Sequence, residues 1–184
     1  MKQISNVLLH FRFLIVIIAV CPSFQCLSQT SKGWTSMERQ YYMNLKGLCS
    51  YLVSKHDLID IQDSSIQKYL LLDYVLNDTS EQRKKDRLER ITTLLGGFRH
   101  FIDSVGLSNL DAKPIRFFKG NSKFYKPFSE ELKDAQPLTF AYFDKRHPNN
   151  PYGYLLFHRE SRKLVTWILI NQGGYHYFLV FNLI

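Results

Sequence analysis

The chain has 184 residues, 45% hydrophobic and 22% charged, a balance that excludes a disordered polymer and suits one folded domain. Its net charge of +8 is compatible with an acidic partner but too weak to point to nucleic acid, and none is expected. Three cysteines are too few for a disulfide-stapled scaffold, so an ordinary core must hold the fold.

Residues 1–28 read as a secretory signal peptide. Lys2 and Arg12 stand without an acid, residues 13–20 are an unbroken apolar run, and Pro22 opens a more polar, small-residue stretch. The run is shorter than the roughly 20 apolar residues of a spanning helix, so no transmembrane segment is expected after cleavage. Cleavage is expected after Ser28, with Cys26 and Ser28 as the small residues that are read. Lipid attachment is less favoured, because Cys21 follows Val20 and Cys26 follows Gln25. The expectation is an exported protein, periplasmic or extracellular. Residues 29–184 then form a single α+β domain, helical over 34–105 and sheet over 114–184.

Residues 34–55 place Met37, Tyr41, Leu45, Leu48 and Leu52 on one helix face, with Cys49 beside them as a buried, inert thiol. A second helix is expected over 64–76, capped by Asp63. A break at 77–80 follows, and Thr79 with Gln82 suggests a capping box. Asn77-Asp78-Thr79 is a glycosylation acceptor if the export route is eukaryotic. The third helix carries a solvated charged face over 83–90 and an apolar line of Leu88, Ile91, Leu95, Phe98 and Ile102. Gly96-Gly97 is read as a kink or a close helix–sheet approach.

Beyond Gly106 the period changes to two. A strand is expected over 114–119, a short helix or turn over 128–134, and strands over 138–144, 152–158, 163–171 and 175–183. Short connections make neighbours antiparallel, so the fold class is α+β, with N-terminal helices packed on a C-terminal antiparallel meander of four to five strands. Pairing His158 with Lys163 and Ile170 with Tyr175 gives two apolar faces. Phe140, Leu155, Phe157, Leu164, Thr166, Ile168, Tyr177, Leu179 and Phe181 suit packing against the helices. The second face collects Tyr152, Tyr154, His158, Trp167, His176 and Phe178, aromatic with polar tips. An antiparallel sheet commonly wets one face, so this one needs a cover: a further helical layer, a homodimer partner, or a ligand.

This order of helices and long antiparallel strands resembles the NTF2-like cone fold, and cystatin-like folds fit it almost as well. The cone resemblance implies a pocket between sheet and helices and frequent dimerisation, and no particular chemistry.

No catalytic signature stands out. No serine lies in a Gly-x-Ser-x-Gly elbow, and the glycine pairs are too short for a phosphate loop. His56, Asp57, Asp60 and Asp63 are a poor metal set, and no metal or cofactor is expected. The basic and aromatic residues of 116–119 and 123–128 read as a guarded edge with aromatics inward. The leading expectation is a non-enzymatic binding domain, an immunity or inhibitor protein being one version. It would use Tyr152, Tyr154, His158, Trp167, His176 and Phe178 for a protein partner or a small ligand. The alternative is a small cofactor-free enzyme or a small-molecule binder, with His158 and His176 as an acid–base pair.

Overall fold

The computed structural model describes residues 32–55, 59–181 and 184, so the expected leader, His56 and Asp57 lie outside it. The chain divides into two units at Trp34/Thr35. Lys32, Gly33 and Trp34 are the described residues of the first; the fold is that of the second. It is α+β, with helices first and an antiparallel meander after them. No helix among the described residues is long and apolar enough to cross a membrane.

Helix α1, Ser36–Ser54, starts at a capping box. The Thr35 hydroxyl accepts the Glu38 N–H at 3.1 Å, and the Glu38 carboxylate accepts the Thr35 N–H at 2.7 Å. The predicted stripe is inward: Tyr41, Leu45, Leu48 and Leu52 are buried. Cys49 is buried with them, and burial pushes its thiol up to about 12, the inert thiol expected.

The helix expected over 64–76 is two single turns, α2 (Ser64–Gln67) and α3 (Asp73–Leu76), with a turn and a single sheet bridge at Leu70 between. Asp63 caps α2 as predicted, accepting the Ser65 N–H at 2.7 Å. The chain then leaves the helix to pair with the sheet. Leu71 donates to the Leu164 carbonyl at 2.9 Å, and Leu164 donates to the Tyr69 carbonyl at 2.7 Å. A short isolated helix is marginal, whereas an open sheet edge offers unpaired backbone groups and burial for Leu70 and Leu72.

Helix α4, Glu81–Val105, begins one residue later than the predicted cap. Ser80, not Thr79, accepts the Arg83 N–H, because Asp78 turns the chain by accepting the Ser80 N–H at 2.9 Å and pairing with Arg83 and Arg87. The helix runs unbroken through Gly96-Gly97. A Cβ at either would meet nothing within 4 Å, so the pair does not mark a close helix–sheet approach. The helix stops at Gly106, whose φ of +85° favours glycine.

The first strand lies earlier than predicted. It is β1, Leu110–Pro114, and 115–118 forms a 3₁₀ turn, because Pro114 lacks the N–H that would extend the ladder. Helix α5, Ser122–Ser129, and a second 3₁₀ turn, Lys133–Leu138, lead to β2 (Thr139–Asp144), β3 (Gly153–Phe157) and β4 (Leu164–Thr166). The order is β1-β2-β3-β4, antiparallel throughout. The predicted His158–Lys163 closure is present, with the His158 N–H 2.8 Å from the Lys163 carbonyl.

The predicted strand 163–171 is broken. A bulge between Leu156 and Phe157 sets Leu156 opposite Thr166. The buried Thr166 hydroxyl accepts the Ile168 N–H at 3.0 Å and donates to the Leu179 carbonyl at 2.6 Å. The chain there leaves the sheet for a separate hairpin, β5 (Leu169–Gln172) and β6 (Tyr175–Phe178), so the strand expected to 183 ends at Phe178. Gly173 and Gly174, both at positive φ, close a two-residue turn. Ile170 therefore faces Tyr177, not Tyr175.

Helices cover both faces of the four-stranded sheet. On one, Tyr41 stacks on Phe157 at 4.9 Å and meets Phe140 edge-on, while Phe98 of α4 meets Tyr142. On the other, Ile115, Phe118 and Phe128 form a second core with Ala141 and Phe143. The cover that the aromatic face required is a helical layer of the same chain.

Candidate functional site

The six residues expected to share a face are distributed over both sides of the sheet. Tyr154 lies beneath α5. Its ring stacks on Phe124 at 4.2 Å, its hydroxyl donates to the Phe124 carbonyl at 2.9 Å, and burial pushes that hydroxyl up to about 12. Phe178 packs with it against Phe128. Trp167 belongs to the opposite layer, stacked on Phe98 of α4 at 4.9 Å and edge-on to Phe181. Tyr152, 49% exposed, meets Phe101 of the same helix at 5.1 Å. The bulge at Phe157 accounts for the separation of Trp167 from Tyr154: one inserted residue exchanges inward and outward side chains beyond it.

The two histidines have separate partners, His158 at the β3–β4 turn and His176 in β6. His158 closes the β3–β4 turn, with Nδ1 3.1 Å from the Ser161 hydroxyl and accepting the Ser161 N–H at 3.3 Å. His176 is fastened to Glu131 instead. Its backbone N–H and its Nδ1 both meet that carboxylate, Nδ1 at 3.2 Å, while Nε2 faces the Asn171 amide at 3.2 Å. The His176 backbone N–H first, then its ring, hold the Glu131 carboxyl below its ordinary range. The arrangement at Glu131 braces a strand.

Of the weak metal set, Asp60 accepts the Gln62 N–H at 2.8 Å and Asp63 is the α2 cap. Among the described residues no group of three or more His, Cys, Asp or Glu is placed to hold a metal ion. The strip 116–128 turns Phe118, Phe124 and Phe128 inward, from helical turns and not from a strand edge, but Phe117 is 42% exposed, against the expectation of aromatics inward. Arg116 there clasps the buried Glu38 through two bonds, of 2.8 and 2.9 Å. Burial works to raise the Glu38 pKa, but Arg116 and the Thr35 N–H outweigh it and hold the carboxyl below its ordinary value.

Among the aromatic side chains the fold leaves exposed, two share the outer row of the β5–β6 hairpin. Cross-strand pairing places Ile170 beside Tyr177 and Gln172 beside Tyr175 on one face. Tyr175 is 71% exposed and Tyr177 39%. Tyr177, expected on the helix-packed face, is thus outward, because its hairpin has left the sheet. Its hydroxyl donates to the Gln172 side chain. The inner row, Asn171, His176 and Phe178, is tied down by Glu131 and Phe128. The signal for this surface is in the sequence: adjacent glycines after Gln172 call for a two-residue turn, which sets Tyr175 at its rim. A braced hairpin with two exposed tyrosines offers rigid aromatic area and hydroxyls at small conformational cost. Comparison with protein-family models, curated proteins and solved structures finds no match, so neither the cone nor the cystatin-like resemblance gains support from them.

Proposed function

We propose that this chain is an exported, non-catalytic binding domain that engages a protein partner through the outer row of its β5–β6 hairpin. The exposure of Tyr175 and Tyr177 on a strand clamped from beneath by Glu131 and Phe128 is the observation that carries this reading. Large aromatic side chains on a rigid support are the usual anchors of protein interfaces. An inhibitor or immunity protein is one form such a module takes. Export rests on the order of charge, apolar run and small residues in 1–28. The face first expected to bind is not the surface proposed, because Tyr154, Trp167 and Phe178 are packed against the chain's own rings.

The test is capture from the extracytoplasmic fraction of the source with residues 29–184, beside a Tyr175→Ser/Tyr177→Ser variant of unchanged circular dichroism. Loss of a specific partner in the variant is expected; equal capture by both proteins overturns the hairpin as the surface. Intact-mass analysis of the exported protein checks the leader, with Gln29 as the expected first residue.

A further inference from the structure

A second surface, independent of the hairpin, has a different chemistry. A groove of about 400 Å³ runs between α1 and the β3–β4 turn, lined by Arg39, Gln40, Met43, Asn44, Lys68, Ser161 and Arg162. Three of these seven side chains are cationic and none is acidic. Neither Arg39 nor Arg162 has a carboxylate within ion-pair distance among the described residues.

Arg162 is the informative member. Among the described residues it alone, apart from glycines, has a positive φ, +62°. Glycine would adopt that turn position without strain. The arginine is held there from both ends by neutral groups of α1. The Asn44 amide donates to its carbonyl at 2.8 Å, and its own Nε donates to the Gln40 side-chain oxygen at 2.9 Å. The result is a guanidinium fixed in place by partners that leave its charge uncompensated, with two further cations around the same groove. Strained backbone supporting a preorganised charged group is characteristic of ligand sites, and a guanidinium matches the geometry of a tetrahedral oxyanion. Met43, 56% exposed in the same lining, supplies an apolar contact for an organic portion.

We infer that this groove binds a small soluble anion bearing a phosphate or sulfate group, with Arg162, Arg39 and Lys68 as its recognition residues. The groove's volume suits a small molecule.

The experiment is calorimetric titration of the chain with inorganic phosphate, pyrophosphate and sulfate at low ionic strength, with melting temperatures measured alongside. Saturable binding of at least one anion is expected. Arg39→Gln, which breaks no observed contact, should weaken it about tenfold, as loss of one charge-assisted hydrogen bond does. Arg162→Gly should weaken it at least as much while leaving the anion-free melting temperature unchanged or raised, since it relieves the positive φ. A purely structural Arg162 would show the reverse: lost stability and retained binding. Absence of saturable binding overturns the site. So does affinity equal to the parent's in both variants, or equal weakening by Lys84→Gln/Lys85→Gln, which would mean diffuse charge. The Tyr175→Ser/Tyr177→Ser variant should bind the anion unchanged, so failure of the hairpin reading and failure of this one are separable.

Discussion

Strands β3 and β6 both carry tyrosine, and those tyrosines meet opposite fates. In β3, Tyr154 is sealed beneath α5, its ring on Phe124 and its hydroxyl on a carbonyl. In β6, Tyr175 and Tyr177 stand in solvent while Phe178 and His176 hold the strand down from the other side. An aromatic row is therefore not a binding surface by composition. It becomes one where nothing in the same chain covers it, and the cover here is an eight-residue helix far from β3 in sequence.

That contrast is open to direct test, beginning on the sealed side. Phe157→Ala removes a fully buried ring stacked on Tyr41, and about 3–5 kcal/mol of stability should go with it in urea denaturation. Arg116→Ala strips the guanidinium from the buried Glu38. The expected cost is about 2 kcal/mol at neutral pH, less than for a fully buried pair because Arg116 is partly exposed. Because the folded pKa of Glu38 is depressed, its contribution is present above the ordinary carboxylate range and lost as pH falls through the folded value. Denaturation at a series of acid pH values should show a shallower decline for Arg116→Ala than for the parent. Tyr154→Phe keeps the ring but leaves the Phe124 carbonyl without its donor, at about 1 kcal/mol. On the open side, Tyr175→Ser should change stability by no more than about 0.5 kcal/mol, and a larger loss would mean that the tyrosine supports the fold instead of displaying itself.

Local pattern was legible where one period ran long enough. The 3.6-residue stripes of α1 and α4, the strands β2 and β3, the Asp63 cap and the buried Cys49 all stand where the sequence placed them. Two of the failures share a cause. The helix stops at Gln67 because an edge of β4 takes the Tyr69 carbonyl and the Leu71 N–H, and 163–171 is two strands because Thr166 binds the Leu179 carbonyl. Neither partner is near in sequence, so neither leaves a local trace. The candidate surface was half legible: the glycine pair marks the turn, but the departure of that hairpin from the sheet does not show.

The α+β class, the main helices, the antiparallel hairpins and the presence of two apolar sheet faces are legible in the residues alone. These follow from side-chain period, turn chemistry and backbone geometry, which act over a few residues. Only the tertiary structure decided that α5 seals the second face, that one bulged residue parts Trp167 from Tyr154, and that Tyr175 and Tyr177 remain outside. Each depends on which distant segment arrives to bury or pair a given side chain, and burial is a property of the packed chain that alternation alone does not encode.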